Sequence, residues 1–324
     1  MRSPSRYVLP PGAVVLCIDI GGTSTKLGVF ELPDRLRPLE TIPSRGPAEE
    51  FGKSLTDAVR RGQQSIREQQ QSVAGVGLAV AGFLNDERDR MIYNPNLAWL
   101  EGYPLRTVLM NECNVVVALE VDSNAAALAE YHLGIGYPAS RFLCLTIGTG
   151  LGVGMIVDGH PLRFAYGCMG DAGHVVVQPN GPLCACGGRG CAEVLVSAPL
   201  LAEEFRIRMN YQHPCSLRNV IEAANEGNPT GIAIIEHAAE WLGVATASLA
   251  NIFYPDLVAF AGGLAEAGEL LLSSIRKSFA YSASTFTKEH VTLARAALGS
   301  MATLNGAAYS ILDRLDESAA PPAH

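Results

Sequence analysis

The sequence predicts an α/β protein of two domains, and three observations carry that expectation. The first is a repeated unit. A buried strand, Val14 to Ile20, runs into Gly21-Gly22-Thr23-Ser24-Thr25-Lys26 and out through Leu27 to Phe30. Phe142 to Ile147 then leads into Gly148-Thr149-Gly150-Leu151-Gly152-Val153-Gly154 and out through Met155 to Val157. Strand, glycine turn, strand is a hairpin signature, and its recurrence points to a duplicated core. The second observation is the alternation of apolar runs with helical patterns after each unit. The third is length: 324 residues, at roughly 150 per domain, make two domains.

Composition narrows the class. Hydrophobic residues are 48% of the chain and the formal net charge is -8. That balance argues against a surface built for nucleic acid or an anionic membrane. No apolar run approaches the roughly 18 residues of a membrane span. The N-terminal MRSPSRYVLPPG lacks the apolar core of a signal peptide and reads as a loose leader. Of eight cysteines, three share one short window, and Cys17 and Cys144 lie within apolar runs. A reducing, cytoplasmic location is expected.

Taken in order, the first glycine turn lets backbone N–H groups approach a phosphate, with Asp19 placed to reach a Mg²⁺ ion. The alternative is an ordinary hairpin turn. No G-x-x-x-x-G-K-[ST] occurs, so neither turn is a Walker loop. Glu49 to Gln71 carries Phe51, Leu55 and Val59 at helical spacing. Val73 to Val80 reads as a strand that ends at Ala81-Gly82. Asn94 to Trp99 is a loop, in which Trp99 either anchors the turn or lines a site. Val115 to Glu120 is a strand, followed by Val121-Asp122-Ser123-Asn124 and an alanine-rich helix. Asp122 therefore sits at a strand-to-helix junction, where a helix N-cap is the plain reading. Pro199 to Asn251 is helical, with Pro229 near the start of a long helix. Asp256 to Ala261 is a strand ending in Gly262-Gly263, and Ala265 to Phe279 a helix. Val291 to Ala294 is a last strand and Gly306 to Leu315 a last helix, followed by a disordered tail.

The most specific stretch is Gly173 to Glu193, GHVVVQPNGPLCACGGRGCAE. His174 is followed by Cys184, Cys186 and Cys191, the ligand set of a closed tetrahedral Zn²⁺ site. Cys184 and Cys186 are too close to pair comfortably, and three thiols leave one over. Asp171 and Glu193 flank this window.

That stretch resembles the signature of the ROK family of sugar kinases and sugar-responsive repressors, G-H, a spacer, then C-x-C-G-x-x-G-C-x-E. The likeness extends over four segments from about Cys17 to Leu315. It implies an actin/hexokinase-like (ribonuclease H-like) fold with a cleft between two α/β domains, 1–119 plus 300–324 and 120–299. It implies ATP-dependent phosphorylation of a hexose, glucose by default at its 6-hydroxyl, with structural zinc and with Mg²⁺ accompanying ATP. Other acceptors, such as an N-acetylated amino sugar or fructose, are the alternative, as is a sugar-binding regulator with weak kinase activity. Glu120-Val121-Asp122-Ser123-Asn124 resembles the family's E-N-D-x-N, whose aspartate is the catalytic base. Gly82, Asn96, Asp171, His174 and Glu193 would hold the sugar. Asp19, Gly21, Gly22, Thr23, Lys26, Thr149, Gly150, Gly262 and Gly263 would hold the nucleotide. Val121 replaces an asparagine that bonds sugar hydroxyls in the family, and Asp171 replaces a glutamate, so relaxed or weak action on glucose is expected. The family's repressors carry a helix-turn-helix domain ahead of the kinase-like part, and none is expected here, with a first strand expected near residue 14. Homodimers or higher homo-oligomers are the family's habit.

Overall fold

The computed structural model describes residues 7–319. The chain divides into two compact units, one of residues 1–133, 161–170 and 301–324, the other of 134–160 and 171–300.

Unit 1 opens with strands β1 (Ala13–Ile20), β2 (Ser24–Glu31) and β3 (Arg35–Pro43), followed by helix α1 (Ala48–Glu68) and strand β4 (Ser72–Val80). A two-stranded ribbon, β5 (Phe83–Leu84) with β6 (Met91–Tyr93), and helix α2 (Leu105–Cys113) precede β7 (Val117–Val121) and helix α3 (Asp122–His132). The sheet order is β3-β2-β1-β4-β7. β1 pairs antiparallel with β2 and parallel with β4, and β4 pairs parallel with β7. β1 and β4 are apolar on both faces because helices cover both. Leu16, Ile18, Leu78 and Val80 share one cluster with Phe51, Leu55 and Val59 of α1 and Leu109 of α2.

Unit 2 contains β8 (Arg141–Ile147), β9 (Leu151–Val157), β10 (His160–Pro161), helices α4 (Ala192–Val196), α5 (Ala198–Arg208), α6 (Leu217–Asn225) and α7 (Pro229–Phe253), then β11 (Leu257–Ala261), α8 (Glu269–Ser282), α9 (Thr285–His290) and β12 (Thr292–Arg295). Its sheet order, β10-β9-β8-β11-β12, reproduces that of unit 1: an antiparallel hairpin, then two parallel neighbours. The duplication reaches single positions. Cys17 on β1 faces Gly28 on β2, and Cys144 on β8 faces Gly154 on β9, with both thiols fully buried. Helix α7 starts at Pro229, and the Asn228 side chain caps it by accepting from Thr230 and Gly231.

The last helix, α10 (Ala302–Ala319), returns to unit 1. Two close approaches let it do so. A Cβ on Gly77 of β4 would lie 1.8 Å from the Ala307 carbonyl oxygen, and one on Gly306 would lie 1.7 Å from that of Ala125 in α3. Because α3 packs on α10, it belongs to unit 1, so the chain leaves that unit after Leu133 rather than at residue 119.

Two expectations at the termini need revision. Residues 1–6 and 320–324 lie outside the described residues. Tyr7, placed in the leader, is 5% exposed and donates from its hydroxyl to Asp313 on α10. α10 runs on to Ala319, past the expected end at Leu315. The helix expected from Ala265 is divided: a 3₁₀ turn (Gly263–Ala267) stops at Gly268, which takes φ 62°, and α8 starts after it.

Candidate functional site

In unit 1 the expected residues gather at the carboxyl ends of three parallel strands, where open α/β sheets bind ligands. Asp19 lies near the end of β1, Gly82 follows β4, and Asp122 follows β7. The register aligns them, with Asp19 opposite Ala79 and Ala79 opposite Glu120. The first glycine turn closes through a Gly21 N–H to Ser24 carbonyl bond of 3.1 Å. Gly22, Thr23 and Lys26 are exposed beside it. Asn96 is also exposed, and its Cβ lies 4.0 Å from the position a Gly22 Cβ would take. The Asn94 side chain fixes that loop by accepting from the Asn96 N–H at 2.8 Å. Trp99 packs edge-on against Phe51 of α1, ring centroids 5.1 Å apart, and lies over Gly46. This contact makes it an anchor of the turn.

Asp122 is the first residue of α3, and its side chain caps no later turn; Oδ1 accepts from the adjacent Ser123 N–H at 2.7 Å. Burial pushes its carboxyl up to about 6, opposed by that N–H and reinforced by the charge of Asp19. Burial likewise raises Asp19, while Lys26, its cross-strand neighbour, pulls it back down. A carboxylate poised near neutrality can accept a proton, and an oxygen donor such as Asp19 suits a hard divalent cation. Val121 is 5% exposed and shares the apolar cluster with Val80 and Leu84. It offers no polar atom, and an asparagine there would bury an amide in that cluster at a cost of about 1–3 kcal/mol.

In unit 2 the window from His174 to Glu193 folds on itself. The ligand atoms of His174, Cys184, Cys186 and Cys191 lie within 4.8 Å of one another. Cys184 Sγ is 3.5 Å from His174 Nδ1, and Cys186 Sγ is 3.7 Å from Cys191 Sγ. A zinc tetrahedron with Zn–S of about 2.3 Å and Zn–N of about 2.0–2.1 Å has edges of about 3.5 Å (S···N) and 3.8 Å (S···S). The four residues fit that ion. With Nδ1 turned to the thiols, His174 Nε2 faces the acids, 3.6 Å from Asp171 Oδ2 and 3.9 Å from Glu193 Oε1. Burial raises the Asp171 carboxyl, His174 lowers it and Glu193 raises it further.

Glu193 also binds the second glycine turn. Its Oε2 accepts the Leu151 N–H at 2.9 Å, and a Cβ on Gly150 would lie 2.4 Å from the same oxygen. Sequence reasoning assigned Gly150 to the nucleotide and Glu193 to the sugar; the fold makes them neighbours. Gly262, at φ 85°, is pressed against Ile147, where a Cβ would come within 2.4 Å of its carbonyl oxygen. β11 and β8 run parallel, so Gly262 and Gly263 lie beside the turn bearing exposed Thr149. The expected nucleotide residues thus form two groups, one in each unit.

Sequence reasoning missed a polar cluster around Glu120. Arg163 and Arg88 both approach this buried carboxylate, and Gly167 accepts from Asn124. Separations of 43 and 32 residues gave no local signal for these pairings.

The ROK family profile matches residues 15–314. The chain is 31% identical over 277 residues to the glucokinase of Streptomyces coelicolor, covering 81% of this chain and 86% of that protein. A crystal structure of a ROK family glucokinase from Streptomyces griseus in complex with glucose and AMPPNP superposes with a TM-score of 0.79. The two are 30% identical, over 91% of this chain and 98% of the other. The xylose repressor of Caldicellulosiruptor bescii is 29% identical over 71% of this chain and 60% of the repressor. Among the described residues, no helix is long and apolar enough to cross a membrane.

Proposed function

We propose that this chain, which belongs to the ROK family, phosphorylates a hexose from ATP with Asp122 as the general base. It is an ATP-dependent sugar kinase, as its relationship to glucokinases indicates. The observation that supports Asp122 as base is its carboxyl, pushed up to about 6 at the strand-to-helix junction beside Asp19. In phosphoryl transfer the protein mainly positions the reactants and neutralises charge. Asp122 would accept the proton of the attacking hydroxyl. Gly21, Gly22, Thr23, Lys26 and Thr149, Gly150 would hold the phosphates, and Gly262 and Gly263 the adenosine. Asp19 would help to hold Mg²⁺ with the ATP phosphates, where the ion would neutralise their charge. Gly82, Asn96, Asp171, His174 and Glu193 would hold sugar hydroxyls. His174 would keep Nδ1 for zinc and offer Nε2 to this group, a second-shell bond that fixes its tautomer.

An ADP-release assay over glucose, mannose, fructose and N-acetylated amino sugars tests this. Hexose-dependent ADP release is expected, without strict preference for glucose. No release with any sugar would reject the kinase reading. The likeness to a xylose repressor favours a second reading, a sugar-responsive regulator. It predicts sugar binding without turnover, which calorimetry on the same panel separates.

The Glu193 geometry gives a further prediction. Gly150→Ala is expected to push Glu193 away from the Leu151 N–H. A displaced Glu193 would lose its bond to a sugar hydroxyl, and a bond to a charged group contributes about 1.5–3 kcal/mol, or roughly 10- to 150-fold in sugar affinity. Unchanged affinity in titration calorimetry would remove Glu193 from the sugar site.

A further inference from the structure

Glu120 lies two residues before Asp122 and is 0% exposed. Its Oε1 accepts from the Val121 N–H at 3.1 Å and from Asn124 Nδ2 at 2.9 Å. These two contacts fall on either side of Asp122 in the chain. Its Oε2 accepts from Arg163 Nη2 and lies 3.6 Å from Arg88 Nη1. Asn124 Nδ2 also donates to the Gly167 carbonyl at 2.8 Å. Arg163 and Gly167 belong to residues 161–170, which fold with unit 1 although the chain on either side folds with unit 2. The junction of β7 and α3 is therefore held twice to that segment, at Glu120 by an ion pair and at Asn124 by a neutral bond.

A buried carboxylate is costly unless paired, and apolar side chains of like volume often serve stability as well or better. The phosphoryl transfer described above makes no use of Glu120 or Arg163. The carboxylate that Arg163 pairs with holds the Val121 backbone N–H just before the base and the Asn124 side chain just after it. We propose that Glu120 and Arg163 form a positioning pair, which sets the direction in which Asp122 presents its carboxylate to the attacking hydroxyl. The proposal rests on Asp122 acting as the base. Misplacement of a reacting group by about 1 Å can cost about 10²-fold in rate, so a loosened junction reads out in kcat.

The test uses the full chain with Arg163→Gln, Arg163→Lys and the double variant Glu120→Gln/Arg163→Gln. The double variant removes both charges of the pair together and leaves only Arg88 beside the site, whose side chain is 31% exposed to water, and so guards against simple unfolding. In Arg163→Gln, kcat is expected to fall at least about tenfold with both KM values within about threefold, the signature of an interaction realised in the transition state. Arg163→Lys should recover part of kcat, and the double variant should keep a folded protein with a low kcat. Native kcat in Arg163→Gln or in the double variant would overturn the proposal. So would kcat and both KM values worsening together in Arg163→Gln with no recovery by lysine. Should the native protein phosphorylate no sugar, the kinase reading fails and hydrogen exchange decides the pair by itself. Faster exchange at Val121 to Asn124 in Arg163→Gln, with the rest of unit 1 unchanged, supports it; native rates there overturn it.

Discussion

Replacing Asp122 by asparagine is expected to lower kcat by about 10²- to 10⁴-fold, the usual contribution of a general base. The same substitution is expected to stabilise the protein at neutral pH. Burial raises the Asp122 carboxyl to about 6 from the ordinary 3.8, so the fold holds this proton more tightly than the unfolded chain does. Stability from this group therefore falls as pH rises from about 4 to about 6, and stays lowered above that window. At about 1.4 kcal/mol per tenfold, discounted for a half-buried side chain, the ionised carboxylate costs roughly 1–3 kcal/mol. Asparagine keeps the shape without the charge. Activity and melting temperature should then move in opposite directions, the mark of a residue held against its own solvation for function. A variant that melts lower and turns over normally would make Asp122 a structural residue.

Cys186→Ala is expected to take bound zinc from about one ion per chain to near zero, because a closed structural site uses all four ligands. Cys186 faces Cys191 at 3.7 Å, and Glu193 follows Cys191 by two residues. Losing the ion frees His174 Nδ1 as well, so the pairing of Nε2 with Asp171 and Glu193 loses its anchor. Metal binding in such sites is itself folding energy. A loss of about 4 kcal/mol would lower Tm by roughly 10 °C, with sugar affinity falling in parallel. Elemental analysis of the purified native protein tests the premise. Absence of zinc together with three freely titrating thiols would refute it.

The parts of the fold most legible in the sequence were those buried on all sides. β1, β4, β8 and β11 read as strands because they are nearly continuous apolar runs, and most of their residues are buried. β3 was missed. Its residues, Arg35 to Pro43, are mostly polar or half-exposed, and Pro38 sits at a register shift opposite Gly28, as suits an edge strand. α2 is only nine residues long and lacks a side-chain cap, so its pattern was too short to register. The zinc ligands were legible because their spacing is local. The neighbourhood of Gly150 and Glu193 was not, since it depends on how a hairpin turn and the start of α4 meet. The Glu120 cluster was hidden for the same reason, and so was the return of α10 to unit 1. Asp122 was visible as a residue at a junction. Its raised carboxyl was not, because burial is a property of the fold.

Asp122 is proposed to take the proton in an ATP-dependent transfer to a sugar. The most direct test is the pH dependence of kcat/KM with the best hexose, which reports the titration of the free enzyme's essential base. The native protein should show an acidic limb that bends near pH 6, falling tenfold for each unit below it. That limb should be absent from the residual activity of Asp122→Asn. A native profile flat from about pH 5 to about pH 8, or the same limb surviving in Asp122→Asn, would contradict Asp122 as the base.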